Sequence, residues 1–155
     1  MDGDKHPDPA GFKRPESVLV VVHARDGQVL MLRRRQPDDF WQSVTGSLEW
    51  GETPVQAACR ELQEETGLSA DGLKDHRHQV RFPIVPPWRS RYAPGVEDNL
   101  EHQFSLCLAA PVPIHLNPSE HLECRWLPRA EAARLATSWS NARAILDFVP
   151  ASPPA

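Results

Sequence analysis

The sequence predicts a layered α/β domain, and three observations predict it. Short apolar runs rich in β-branched residues recur along the chain, beginning with Ser17 to His23, SVLVVVH. Such a run, apolar at nearly every step rather than at alternate ones, suits a strand buried on both faces. Between and after these runs lie segments with helical spacing of apolar residues and with helix start and stop signals. Strand and helix patterns therefore interleave, which favours an α/β arrangement over an all-helical one.

Each element follows in order. Met1 to Phe12 holds three aspartates, two prolines and two glycines and reads as a flexible arm, residues 1–12. After the Ser17 to His23 strand, Asp26-Gly27 marks a tight turn, because hairpin turns need a positive φ. Gln28 to Arg33 is the returning strand, and Ser43 to Leu48 is a third. Pro54 to Thr66 is a helix with both ends written in the sequence. Thr53 caps it, Pro54 suits its first position, and Gln56 completes a capping box. Gly67 stops it. Val80 to Val85, His102 to Leu108 and Leu122 to Leu127 are further strands. Pro83 to Gly95 carries four prolines in thirteen residues and reads as an irregular loop, a common place for substrate contacts. Pro128 to Leu135 and Ser140 to Phe148 read as short amphipathic helices. The last six residues, 150–155, contain three prolines and read as a frayed tail. Residues 13–149 are left as a single domain, a size one hydrophobic core can serve.

A net charge of -4 and a pI near 6.0 supply no global basic field, so nucleic-acid binding is not expected. The three cysteines, Cys59, Cys107 and Cys124, are odd in number and widely spaced, which disfavours disulfides and zinc. Their apolar sequence contexts predict buried free thiols. The seven histidines show no paired metal spacing and read as structural or surface residues. With neither a signal peptide nor an 18-residue apolar run, a cytoplasmic protein with no membrane association is expected. Oligomeric state is left open.

The helix from Pro54 to Thr66 draws attention to its charge. At about 100° per residue, Val55, Ala58, Cys59 and Leu62 form a stripe for the core, while Glu61, Glu64 and Glu65 fall together on an adjacent face. Like charges four apart repel, and the helix C-terminus is the wrong end for them. A solvated acidic face is the common explanation of such a run. The alternative is a compensating cation, since carboxylate oxygens are what Mg²⁺ or Mn²⁺ prefers.

The surroundings favour the alternative. Gly46, five residues, Glu52, seven residues, then Arg60-Glu61-Leu62-Gln63-Glu64-Glu65-Thr66-Gly67-Leu68 matches the Nudix box at every fixed position. On that motif the chain resembles the Nudix hydrolases. The resemblance implies a mixed β-sheet sandwiched between α-helices and metal-dependent hydrolysis of nucleoside diphosphates linked to another moiety. It also implies that Glu61 and Glu65 are metal ligands or base, that Glu64 assists, and that Arg60 and Glu52 hold loop and helix in place. The chemistry is coherent. A metal ion neutralises a triphosphate tail and acidifies a bound water, and a spare carboxylate accepts the proton.

Other stretches resemble one subfamily, the dihydroneopterin triphosphate pyrophosphohydrolases of bacterial folate synthesis. They include Lys13-Arg14-Pro15, Asp39 to Ser47, Arg91 to Val96, Glu120-His121-Leu122 and Ser138 to Asn141. The resemblance implies a small-molecule triphosphate substrate, cleaved to dihydroneopterin 3′-monophosphate and pyrophosphate. Glu61, Glu65 and Glu120 would bind Mg²⁺, with Mn²⁺ a substitute. Lys13, Arg34 and Thr45 would contact substrate, with Phe82, Pro83, Ile84, Val85 and Ser138 completing the pocket. Cationic Lys13 and Arg34 suit phosphate oxygens. A broader nucleoside triphosphate pyrophosphohydrolase and a non-catalytic nucleotide-binding module of the same fold are the competing readings.

Overall fold

The computed structural model describes residues 11–86 and 88–151. Most of the expected arm, residues 1–10, and the tail beyond 151 lie outside the described residues.

The strands are β1 (Glu16–Ala24), β2 (Gln28–Arg34), β3 (Trp41–Gln42), β4 (Val44–Ser47), β5 (Lys74–Pro83), β6 (Asp98–Leu108) and β7 (His121–Pro128). The helices are α1 (Pro54–Thr66), α2 (Arg129–Leu135) and α3 (Trp139–Phe148), with a 3-10 turn at Arg89–Arg91. The strands form one mixed sheet. β1 runs parallel to β6 along its whole length. On its other edge β1 is shared: Ser17 to Val20 pair antiparallel with β4, and His23 pairs with Val29 of β2. β2 continues antiparallel to β7 and β3, and β5 forms the far edge against β6. β4 and β2 thus part company along a single strand, and the cleft described below lies at that divergence.

β1 explains the layering. Val18, Val20 and Val22 join Leu30, Leu32, Val44, Phe104 and Leu106 in a core closed by Ala57, Ala58 and Leu62 of α1. Leu19 and Val21 point the other way, joining Val29, Met31 and Trp41 in a core closed by Ala132 of α2 and by Ala144 and Ile145 of α3. Alternate side chains of a strand face opposite ways. An all-apolar strand therefore needs helices on both sides, and the sheet is sandwiched between them. Among the described residues, no helix is long and apolar enough to cross a membrane.

The structure corrects the sequence reading in four places. The buried face of α1 is Ala57, Ala58, Glu61, Leu62 and Glu65, while Val55 is 46% exposed and Cys59 only half-buried. Two inward carboxylates, which hydrophobicity cannot anticipate, turn the helix away from the expected stripe. Cys107 is exposed and Cys124 half-buried, because apolar sequence neighbours do not decide which face of a strand a thiol takes. β5 begins at Lys74, well before Val80. It is an edge strand, mostly exposed, so its polar first half carries no apolar pattern; a register shift between Asp75 and His78 further hides it. The third expected strand is two pieces, β3 and β4.

His23 ends the apolar run of β1 buried, with Nδ1 unpartnered. Burial lowers its pKa below 6.5, so the unfolded chain takes up the proton more readily. The stability this supplies is complete above 6.5 and is lost as the pH falls through 6.5 toward the folded value. Urea unfolding of wild type and His23→Gln should show the wild type losing ground to the variant between about pH 7.5 and about pH 5.5. A constant difference across that range would contradict this account.

Candidate active site

The N-terminus of α1 is built as its sequence dictates. Gln56 N–H donates to Thr53 Oγ1 at 3.2 Å, and Thr53 N–H donates to the Gln56 side chain at 2.9 Å. At the other end Gly67, with φ 76°, donates to Gln63 O at 3.0 Å. Neither terminus carries a charge that suits the helix dipole. The acidic side chains of α1 are compensated from within the motif.

Arg60 supplies most of that compensation. Its Nε and Nη2 donate to both oxygens of Glu52 at 2.8 and 2.9 Å, a two-pronged bond. Nη2 also reaches Ser47 O at 3.0 Å, and Nη1 reaches Glu61 Oε1 at 2.6 Å. Glu52, whose side chain is fully buried, accepts in addition from Glu49 N–H at 2.9 Å. One guanidinium therefore joins β4, the following loop and α1. Its hydrogen bonds to Glu52, with the negative charges of Glu61 and Glu52 beside it, hold its pKa above the ordinary value against the opposing effect of burial.

Gly46 of β4 faces α1. A Cβ placed there would overlap the carboxyl group of Glu61. The glycine gives the carboxylate its room, and Arg60 aims it. One turn later Glu65 is 2% exposed, and its Oε1 has no hydrogen-bond partner, with His121 Nε2 3.9 Å away. Burial, then Glu61, then Glu120 push the Glu65 carboxyl well above the usual range, and burial raises Glu61 too. Two buried carboxyls side by side resist double ionisation unless a cation joins them. The unpartnered buried oxygen of Glu65 fits that requirement.

These groups line a cleft of about 680 Å³. Glu61 and Glu65 stand on one wall and Glu120 and His121 on another, with Lys13, Arg34, Arg35 and Arg91 around them. The expected trio Glu61, Glu65 and Glu120 is not a closed metal cluster. Among the described residues, no three His, Cys, Asp or Glu side chains gather closely enough to hold an ion alone. A hard cation that keeps waters and takes substrate phosphate oxygens needs only one or two carboxylates.

Lys13 is pinned by its backbone, whose N–H donates to Arg91 O at 2.9 Å. Burial, then Arg91 and Arg34, lower the Lys13 pKa. A cluster of cations crowded this way is suited to an anion. Of the three consecutive arginines, Arg34 and Arg35 reach the cleft, while Arg33 pairs with Asp38 and Glu123 outside it.

A second cavity of about 510 Å³ shares Lys13, Arg34, Gln42, Thr45, Gly46 and Ser47 with the first. Phe82, Pro83, Ile84, Val85 and Ser138 line it, along with Phe40, Trp88, Tyr92 and Trp139. Phe40 meets Trp88 edge-on at 5.6 Å, and Arg34 lies over the Phe40 ring. The two spaces share a wall of six residues, and their linings are polar and charged in the first and aromatic in the second.

The fold thus brings Lys13, Arg34, Thr45, Glu61, Glu65, Glu120 and Ser138 to one site, with the segment from Phe82 to Val85. Glu52 stands behind it as a support. Glu64 is 49% exposed, 3.4 Å from Arg60, and does not line the cleft. It points to solvent where Glu61 and Glu65 point inward. Among the lining residues to which the sequence assigns no role, four stand out. Arg91 lies in a stretch that carries the resemblance, but the resemblance gives it no part in the site. His121 was read among the structural or surface histidines. It lines the cleft, its Nε2 accepts from the Gln42 amide at 3.1 Å, and burial and Arg34 push its pKa down to about 4. Asn99 and Glu101 lie on β6, where no local motif marks them.

Residues 13–148 match the family model described as NUDIX domain. The chain is 49% identical over 143 residues to the dihydroneopterin triphosphate diphosphatase of Escherichia coli (strain K12), covering 89% of this chain and 94% of that one. It is 39% identical over 145 residues to the Haemophilus influenzae protein of the same name, covering 89% of each. The solved structure of the E. coli dihydroneopterin triphosphate pyrophosphohydrolase superimposes with a TM-score of 0.83 at 48% identity, covering 89% of this chain and 97% of that one.

Gly46→Ala isolates the packing of β4 on α1. Overfilling should cost about 1–3 kcal/mol in a melting curve and displace the Glu61 carboxylate. Titration with Mn²⁺, followed by electron paramagnetic resonance, should then show weakened binding. Wild-type affinity in the variant would separate Gly46 from the placing of Glu61.

Proposed function

This chain belongs to the Nudix family, hydrolases of phosphoric anhydride bonds that use divalent metal ions, and we propose that its substrate is 7,8-dihydroneopterin 3′-triphosphate. Water adds to one phosphorus of the α–β bridge, and the bridging oxygen leaves with the other. Dihydroneopterin 3′-monophosphate and pyrophosphate result, a step of folate synthesis carried out in the cytoplasm. The observation that carries this reading is the continuity of the two cavities through Lys13, Arg34 and Thr45. The charged arm suits a triphosphate and the aromatic arm suits a flat ring.

The metal is Mg²⁺ in this reading, with Mn²⁺ able to replace it, held by Glu61, Glu65 and Glu120 together with substrate oxygens. When bound it supplies charge neutralisation and an acidified water. The protein's own groups do the rest. Lys13 and Arg34 bind the tail, with Arg91 beside them. Arg60 and Glu52 keep Glu61 aimed into the cleft. Glu64, outside the cleft lining and 3.4 Å from Arg60, assists by helping to hold that arginine, and a carboxylate of the cleft accepts the proton. Ser138 and the segment Phe82, Pro83, Ile84 and Val85 enclose the ring. Residues 13–149 act as the working unit, with residues 1–12 and 150–155 as appendages.

Phosphorus NMR of the products is the direct test. Pyrophosphate and a monophosphate are expected; release of three separate phosphates, or no turnover, would sink the proposal. The ratio of kcat/KM for the pterin substrate and for dATP separates it from a broad nucleoside triphosphatase. Retention of Glu61, Glu64 and Glu65 argues against a binding module that does not cleave.

Glu61→Gln should fold, since the two side chains are alike in shape and helix propensity, yet lose on the order of 10³-fold or more in kcat. Near-normal turnover would remove Glu61 from the chemistry.

A further inference from the structure

Lys13 precedes β1, in a stretch with neither strand nor helix to hold it, yet it lines the cleft together with Arg34 and Arg91. Cations gathered in one lining repel one another until an anion arrives. The backbone hydrogen bonds around Lys13 show what keeps it there. The peptide group joining Phe12 to Lys13 is bound at both ends. Its carbonyl, Phe12 O, accepts from the Trp50 indole N–H at 3.0 Å. Its N–H, that of Lys13, donates to Arg91 O at 2.9 Å. In a trans peptide these two groups point opposite ways, so Trp50 and Arg91 grip the plane from two sides. A plane fixed in this way restricts where the Lys13 side chain can go. The residues that follow are stiff as well. Pro15 has a fixed φ and restricts Arg14 before it, and Pro15 O accepts from Leu100 N–H at 3.0 Å.

Trp50 is itself on firm ground. It lies in the turn from Glu49 to Glu52, between β4 and α1, and that turn closes on itself. Glu52 N–H donates to Glu49 O at 3.0 Å, and Glu49 N–H donates to the Glu52 carboxylate at 2.9 Å. Arg60 anchors the turn through Glu52. Arg14 reaches the same turn from the other partner, donating to Glu52 O at 2.8 Å and Glu49 O at 3.1 Å. The Nudix box fixes Gly46 and Glu52 and leaves the five positions between them open, so the motif gives Trp50 no part. An indole N–H can only donate, and here it is spent on the backbone that carries the lysine.

We infer that Trp50 is a positioning residue: its indole N–H holds the Phe12–Lys13 peptide to the Glu49–Glu52 turn and so keeps the Lys13 ammonium in place for the triphosphate. The turn that steadies Glu61 through Arg60 thereby steadies the lysine too. Without the indole bond, Lys13 must be brought back at each binding event against the repulsion of Arg34 and Arg91, and affinity for the phosphate tail falls. The inference rests on the reading of the cleft as a triphosphate site and adds how the cleft keeps its lysine.

Trp50→Phe removes the N–H and keeps an aromatic ring, and melting temperatures confirm its folding. It should raise KM about fivefold for dihydroneopterin triphosphate and dATP alike, with kcat within about twofold, because the lysine meets the tail and not the ring. In a Lys13→Ala background the same substitution should change KM by less than about 1.5-fold, since no ammonium is left to position. Calorimetric titration with inorganic tripolyphosphate should show the same dependence on Lys13 without turnover. Should Trp50→Phe fail to fold, Trp50→Leu carries the same cycle. Equal losses with and without Lys13 would make Trp50 a packing residue of the turn and overturn the inference, as would an unchanged KM in Trp50→Phe. Wild type that cleaves dATP but not the pterin compound, with a Trp50 effect that vanishes in Lys13→Ala, would instead retain the inference and discard the proposed substrate.

Discussion

The Arg60 guanidinium is the point on which this site depends. It spans Glu52, Ser47 O and Glu61 within about 3 Å each. Each partner comes from a different piece of chain: the loop before α1, the end of β4 and α1 itself. Removing one member of such a buried pair costs about 3–5 kcal/mol, because the other charge is left without compensation. Arg14 backs this arrangement, donating to Glu52 O at 2.8 Å and Glu49 O at 3.1 Å. The N-terminal segment is thereby drawn against the loop, which helps bring Lys13 to the cleft.

With that tie in place, α1 can do something costly. It turns two carboxylates inward where a helix normally presents apolar groups. The pair Glu61 and Glu65 is tolerated because Arg60 balances one and because a cation can balance both. The cost of that arrangement shows in the Glu65 oxygen left without a hydrogen bond and in carboxyls that burial holds toward their neutral form. The divergence of β4 from β2 along β1 supplies the opening into which these groups project.

Much of this was legible in the sequence. The ends of α1 were readable because capping is local: Thr53, Pro54, Gln56 and Gly67 act within a few residues of themselves. The burial of β1 on both faces was readable because its side chains are uniformly apolar. What failed was equally physical. The inward face of α1 was misread because Glu61 and Glu65 are buried although they are charged, which no hydrophobic pattern anticipates. The first half of β5 was missed because an exposed edge strand needs no apolar pattern to pair.

By itself, the sequence located the charged end of the cleft. The carboxylates, their arginine and the glycine that makes room for them lie in one short run, so spacing along the chain maps directly onto spacing in the fold. The other end was decided only by tertiary structure. Its lining comes from Phe82 to Val85, from Trp88 and Phe40, from α3 and from β6. Asn99 and Glu101 look in sequence like ordinary polar residues of a strand. They reach the lining of the second cavity only because β6 is laid beside β1, its ladder placing Ser17 opposite Glu101. That pairing, between segments some eighty residues apart in the chain, seats Asn99 Nδ2 on Ser17 Oγ at 2.8 Å, a contact that no local pattern in the sequence records.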